Sequence, residues 1–116
     1  MREEYIDKID EDLERDIREF RDNDELIEII SQIFKSLSDP TRLKILYALS
    51  KSELCVSDIA KLMEMSQSSI SHQLAFLKAQ RLIKVSRVGR RAYYSLDDEH
   101  VFSIFKFGID HAKHKI

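Results

Sequence analysis

The chain has 116 residues, 43% hydrophobic and 34% charged, enough for one domain with a real core and small enough to gain from dimerisation. No run approaches the roughly 20 apolar residues of a membrane span, and the acidic start MREEYIDKIDED does not read as a signal peptide, so a cytoplasmic protein with no membrane partner is expected. The net charge of −2 is unevenly spread: residues 1–25 carry twelve carboxylates against five Lys or Arg, while residues 26–116 carry nine against fourteen.

With two Gly and one Pro the chain has few breakers, and mostly helices with short joints are predicted. Residues 1–22 form an acidic amphipathic helix in which Ile6, Ile9, Leu13, Ile17 and Phe20 step by three or four. Leu26, Ile29, Ile30, Ile33, Phe34 and Leu37 give a second helix with a wider apolar face. Ser38-Asp39-Pro40 is a helix start, an oxygen-bearing cap before a first-turn proline, and Leu43, Ile45, Leu46 and Leu49 carry that helix to about Ser50. A single cysteine, Cys55, rules out an intrachain disulfide framework, agrees with a reducing compartment, and reads as a small buried hydrophobe.

Residues 56–80 carry two helices with a tight turn, the helix-turn-helix pattern. The first runs from about Val56 to Met63. Ser66 caps the second, whose Ile70, Leu74 and Leu77 point inward and leave Gln67, Ser68, Ser69, Ser71, His72 and Gln73 outward. Residues 82–96 follow as a hairpin, with β-rich runs 82–87 and 91–96 flanking Val88-Gly89-Arg90, a wing with a basic tip. The last helix occupies residues 98–114. The fold class expected is mainly α with a small β-hairpin: a single winged helix-turn-helix domain over residues 1–116, homodimeric, with the N- and C-terminal helices at the dimer interface.

Between Glu64 and Asp97 there is no carboxylate, yet Lys78, Arg81, Lys84, Arg87, Arg90 and Arg91 all lie there. A solvated surface ordinarily mixes both signs, so this acid-free stretch reads as a face for a polyanion. Gln67, Ser68, Ser69, Ser71, His72 and Gln73 would reach base edges and phosphates in the major groove. Ser is a mediocre helix former, so four in six positions point to contact rather than to a merely polar face. Arg87, Arg90, Arg91 and Tyr93 on the wing would hold the DNA backbone or enter the minor groove. The expected partner is double-stranded DNA carrying an inverted repeat.

Three of the four histidines fall in the last helix, as Asp98-x-His100 and His111-x-x-His114. On one helix His100 and His111 lie about 16 Å apart at roughly 1.5 Å per residue, too far to share an ion with bonds near 2 Å. The set closes across two chains. Antiparallel pairing about a two-fold near Lys106 sets Asp98 against the partner subunit's His114, and His100 against the partner subunit's His111, giving two identical sites per dimer. The histidines share a stripe of roughly 60° beside an apolar seam of Val101, Ile104, Phe105, Gly108 and Ala112. Three neutral imidazoles and one carboxylate suit tetrahedral Zn(II), with Co(II) as a surrogate, and affinity weakens as pH falls through about 6.5.

In this order of elements the chain resembles the ArsR/SmtB family of winged helix-turn-helix metal sensors, on the segments LSDPTRLKIL (37–46), ELCVSDIA (53–60) and SQSSISHQL (66–74). Asp98, His100, His111 and His114 look like the ligand set of its CzrA-like subgroup. The resemblance implies an apo dimer that binds its operator and is released by zinc, so no enzyme is expected. A second family site pairs cysteines of the ELCVC-type segment with Cys or His near the partner's N-terminus. Here Ser57 replaces one thiolate, Asp58 is an oxygen donor at best, and residues 1–54 hold neither Cys nor His, which disfavours a thiolate-rich site. The principal rival is a DNA-binding repressor in which zinc is a structural staple. A metal hydrolase would need an open coordination position and a nearby base, which the stripe lacks. Simple zinc buffering leaves the polar helix and basic wing unexplained.

Overall fold

The computed structural model describes residues 9–116. Helix α1 (Glu11–Arg21) starts where the Asp10 carboxylate accepts from the Leu13 N–H at 2.9 Å. Acidic residues fill its first turn and Arg18 and Arg21 its last, as the helix-end charges favour. Ile6, placed in this helix by sequence, lies outside the described residues, and Ile9 precedes the helix. Nothing in α1 is buried, and Leu13, Ile17 and Phe20 stand open together with Ile9. Helix α2 (Asp24–Leu37) is capped by Asn23, whose side-chain oxygen accepts from the Leu26 N–H at 3.2 Å. The chain divides within α2 into two compact units, one ending at Gln32 and the other spanning Ile33–Ile116.

In the second unit, α3 (Pro40–Lys51) begins as predicted, with Pro40 in the first turn and the Asp39 carboxylate accepting from the Arg42 N–H at 3.0 Å. Helices α4 (Val56–Met63) and α5 (Gln67–Ala79) are joined by a turn in which Glu64 takes a left-handed conformation, φ 56°. That conformation lets the Met65 N–H reach back to the Ala60 carbonyl at 3.0 Å, closing the end of α4. Ser66 then starts α5, its hydroxyl accepting from the Ser69 N–H at 3.1 Å.

Helix α5 ends the same way, with Arg81 at φ 59° and its N–H and that of Leu82 bonded to the Lys78 and Leu77 carbonyls. Leu82 therefore closes the helix rather than opening the strand, and β1 is Ile83–Val88, one residue later than the sequence pattern places it. It pairs antiparallel with β2 (Arg91–Leu96) from Ile83↔Leu96 to Val88↔Arg91. The two-residue loop has Gly89 at φ +63°, and glycine in the first central position suits the hairpin twist. Leu54 and Tyr94 exchange both backbone bonds, at 3.1 and 2.8 Å, which fastens the hairpin to the α3–α4 connection. Helix α6 (Glu99–Lys113) closes the chain.

The core gathers Ile45, Leu46 and Leu49 of α3, Ile59 of α4, and Ile70, Leu74 and Leu77 of α5 with Leu82 and Ile83. Each such side chain contributes about 1.5–3 kcal/mol on burial. Helix α6 joins through Val101 and Phe105, the latter 6.3 Å from the Tyr47 ring of α3. The architecture is a winged helix-turn-helix: α4 and α5 are the helix pair, and β1 and β2 the wing.

Candidate nucleic-acid interface and metal centre

The periodicity that buries Ile70, Leu74 and Leu77 leaves Gln67, Ser68, Ser69, Ser71 and His72 exposed on α5. Gln73 differs. It is half-buried, and its side-chain oxygen lies 3.5 Å from an Arg42 guanidinium nitrogen. Gln67 and Arg91 line one shallow concavity with Cys55, Val56, Ser57 and Ala92, so the start of α5 and the loop-side end of β2 share a surface.

Strand alternation divides the wing residues. Tyr94 and Leu96 pack on the core, so Ala92 and its cross-strand partner Arg87 share that side of the ribbon. Arg91 and the half-buried Tyr93 lie on the opposite side, and Arg90 sits in the exposed loop. The three arginines thus surround the tip instead of forming one row.

Asp98 lies just before α6 and is its N-cap, Oδ1 accepting from the His100 N–H at 2.9 Å and the Val101 N–H at 3.1 Å. The Val101 N–H above all, helped by His100 and opposed by partial desolvation, holds the Asp98 carboxyl below its usual range. Oδ2 points to the His100 ring, 3.5 Å from Nδ1, with the His100 side chain 91% exposed. One oxygen is therefore spent on the helix and the other remains beside an open imidazole, a donor pair fit for a cation. His111 stands in the last turn of α6 and His114 is its C-cap, both exposed. Among the described residues no three His, Cys, Asp or Glu side chains of the single chain converge as a metal set.

The apolar seam needs correction. Val101 and Phe105 are 9% and 7% exposed because they fasten α6 to its own core, so neither is available to a second helix. What stands open along the histidine stripe is Ile104, with Gly108 at its edge, and Phe107, the last 70% exposed, whereas Ala112 is exposed but falls on the wheel between Val101 and Phe105. Sequence reading passed over Phe107, although on a helical wheel it falls between His100 and His114. An added Cβ at Gly108 meets nothing within 4 Å, so the protomer itself places no steric demand for glycine there.

Residues 39–85 match the family described as "Bacterial regulatory protein, arsR family". The chain is 48% identical over 82 residues to a transcriptional repressor SmtB homolog of Synechocystis sp., covering 71% of this chain and 62% of that protein. It is 49% identical over 73 residues to a cadmium resistance transcriptional regulatory protein CadC homolog of Staphylococcus aureus, covering 62% and 60%. The matches thus span about three-fifths of the length of these two relatives. Among solved structures, a homodimeric winged helix-turn-helix DNA-binding domain from Mycobacterium bovis superposes with a TM-score of 0.75 at 30% identity, covering 78% of this chain and 83% of that one. The chain belongs to the ArsR family. It is accordingly a member of a family of DNA-binding regulators and not an enzyme.

Within that family frame, Cys55 is buried as expected, its Sγ 3.2 Å from both Ser57 Oγ and Asp58 Oδ2. The thiol thus has local hydrogen-bond partners, and the sequence supplies neither Cys nor His before it.

Proposed function

We propose that this ArsR-family chain is a metal-responsive transcriptional repressor. It acts as a homodimer that binds an inverted-repeat operator and releases it when Zn(II) joins the two terminal helices. The observation that carries the metal assignment is Asp98, whose Oδ1 caps α6 while Oδ2 stays beside the exposed His100 ring. The names of relatives, a repressor and a cadmium resistance regulator, support a metal-linked repressor, and the homodimeric neighbour supports the dimer.

In this reading Ile104 and Phe107 bring two copies of α6 together antiparallel. Each Asp98 and His100 then faces the partner subunit's His111 and His114, in two sites per dimer. Asp98 and His100 of one chain with the partner subunit's His111 and the partner subunit's His114 would hold zinc, which would supply a tie between the two helices. Such a tie acts on DNA only through unequal affinity for two dimer arrangements. A coupling of about 1–3 kcal/mol weakens operator binding roughly 5- to 150-fold, and DNA weakens zinc equally. A bond from the His111 ring N–H to backbone near Gln80 or Arg81, the turn that ends the recognition helix, would carry the signal.

Mixed dimers test where the metal sits. A chain with Asp98→Ala and His100→Ala and one with His111→Ala and His114→Ala each lack complete sites as homodimers. Their heterodimer has one complete site, so tight zinc binding should return on mixing at one ion per heterodimer. If each variant alone keeps parental affinity, or mixing restores nothing, the intersubunit site is wrong.

A further inference from the structure

The Arg42 guanidinium joins three helices at one point. Its Nε donates to the Ser36 carbonyl in the last turn of α2 at 3.2 Å. Nη1 reaches Gln73 Oε1 at 3.5 Å, and the guanidinium carbon lies 4.2 Å from the centroid of the Phe76 ring. Gln73 and Phe76 are successive positions, three apart, on the recognition helix α5. The Arg42 backbone is itself fixed by the Asp39 cap at 3.0 Å. The ion pairs among the described residues do not include Arg42, so this half-buried cation is met by a carbonyl, a carboxamide and a ring face. Only a planar, weakly hydrated, forked cation satisfies those three neighbours together.

We propose that Arg42 is a positioning residue for DNA recognition, fixing the roll of α5 about its own axis without touching DNA, and that Gln73 serves as its tether rather than as a base reader. This rests on the DNA-binding reading above and deepens it. The inner stripe of α5, Ile70, Leu74 and Leu77, holds the helix down by apolar burial, which is non-directional and resists rolling weakly. At about 100° per residue, Gln73 and Phe76 lie roughly 60° and 120° to one side of that stripe, where a tether opposes roll. A roll of about 20° would move side-chain tips, some 5–6 Å from the axis, by about 2 Å. That displacement exceeds what a hydrogen bond to a base edge tolerates.

The test is fluorescence anisotropy of the full chain on a duplex that the parent selects from a random pool and on a scrambled duplex of equal length, across a range of salt. Arg42→Met should bind the selected duplex at least tenfold more weakly, bind the scrambled one within twofold of the parent, and keep the parent's salt slope. Arg42→Lys, which keeps the charge but not the fork, should fail to rescue. Phe76→Leu and Gln73→Leu, which leave Arg42 in place, should each lose at least threefold on the selected duplex alone, and they answer the question should Arg42→Met not fold. Folded variants that all bind like the parent overturn the inference. So does a loss shared by both duplexes with a salt slope shallower by about one, which makes Arg42 a phosphate contact. A parent that does not distinguish the duplexes overturns the DNA-binding reading and this inference with it.

Discussion

Asp98 does two jobs with two oxygens, and single substitutions separate them. Asparagine caps helices as well as aspartate but carries no charge. Asp98→Asn should therefore keep the melting temperature of the apo protein near the parent's while weakening zinc at least tenfold by calorimetric titration; undiminished zinc affinity would reduce Asp98 to a cap. The pH dependence follows from the same hydrogen bonds. Because the folded carboxyl is held below its usual range, chiefly by the Val101 N–H, its contribution is fully present above the ordinary carboxylate pKa of about 4 and is lost as pH falls through the lower folded value. Below about pH 4 the parent should lose stability relative to Asp98→Asn, and above about pH 5 the difference between them should be flat. Equal losses on acidification would contradict the cap. The proposal of Asp98 as a ligand was readable from its spacing to His100, His111 and His114, whereas the cap, with Oδ1 on the helix and Oδ2 beside the His100 ring, needed coordinates.

The helix ends decide the elements, and two of them are made without glycine. Glu64 and Arg81 occupy left-handed conformations at φ 56° and 59°, a geometry that costs an L-residue roughly 1 kcal/mol or more. Glu64→Gly and Arg81→Gly should each raise stability by a few tenths to about 1 kcal/mol in urea unfolding, the gain being reduced by glycine's larger unfolded-state entropy. A loss above about 1 kcal/mol in either would mean that the side chain makes stabilising contacts. Asp39→Ala, which removes the cap of α3, should cost about 1 kcal/mol.

Caps and apolar periodicity made α3, α4, α5 and β2 readable in sequence to within a residue, because Asp39-Pro40, Ser66 and the buried leucines act locally. The limits of β1 and the seam of α6 were not readable in the same way. Leu82 belongs to a helix-closing turn whose left-handed residue is arginine, not glycine, so no sequence signal marks it. Val101 and Phe105 share a helix face with apolar neighbours, and only the position of α3 decides that their own core takes them.

At the scale of the whole molecule, the proposed function makes the recognition helix, the wing and the histidine stripe act through two copies. If the basic stretch from Lys78 to Arg91 meets DNA as proposed, operator affinity should fall steeply with salt, each phosphate contact contributing a slope of about −0.9 in log–log terms. Charge removal at the wing tip, Arg90→Ala, should shallow that slope by about one and weaken selected and scrambled duplexes alike. An unchanged slope would place Arg90 outside the interface. The pattern behind the proposed histidine set was legible, because a ligand pair at each end of one helix can close only by two-fold symmetry. Phe107 was not, because a lone aromatic in a helical pattern carries no sign of whether it meets its own core or a second chain.

Metal on the terminal helices should change DNA affinity. The direct measurement is fluorescence anisotropy of the parent and of a His111→Ala, His114→Ala variant on the selected operator duplex, with chelator and then with stoichiometric Zn(II). Zinc should weaken operator binding 5- to 150-fold for the parent and leave the variant unchanged. Zinc that binds the parent tightly while operator affinity stays the same would contradict it, reducing the site to a structural staple whose inducer is something else.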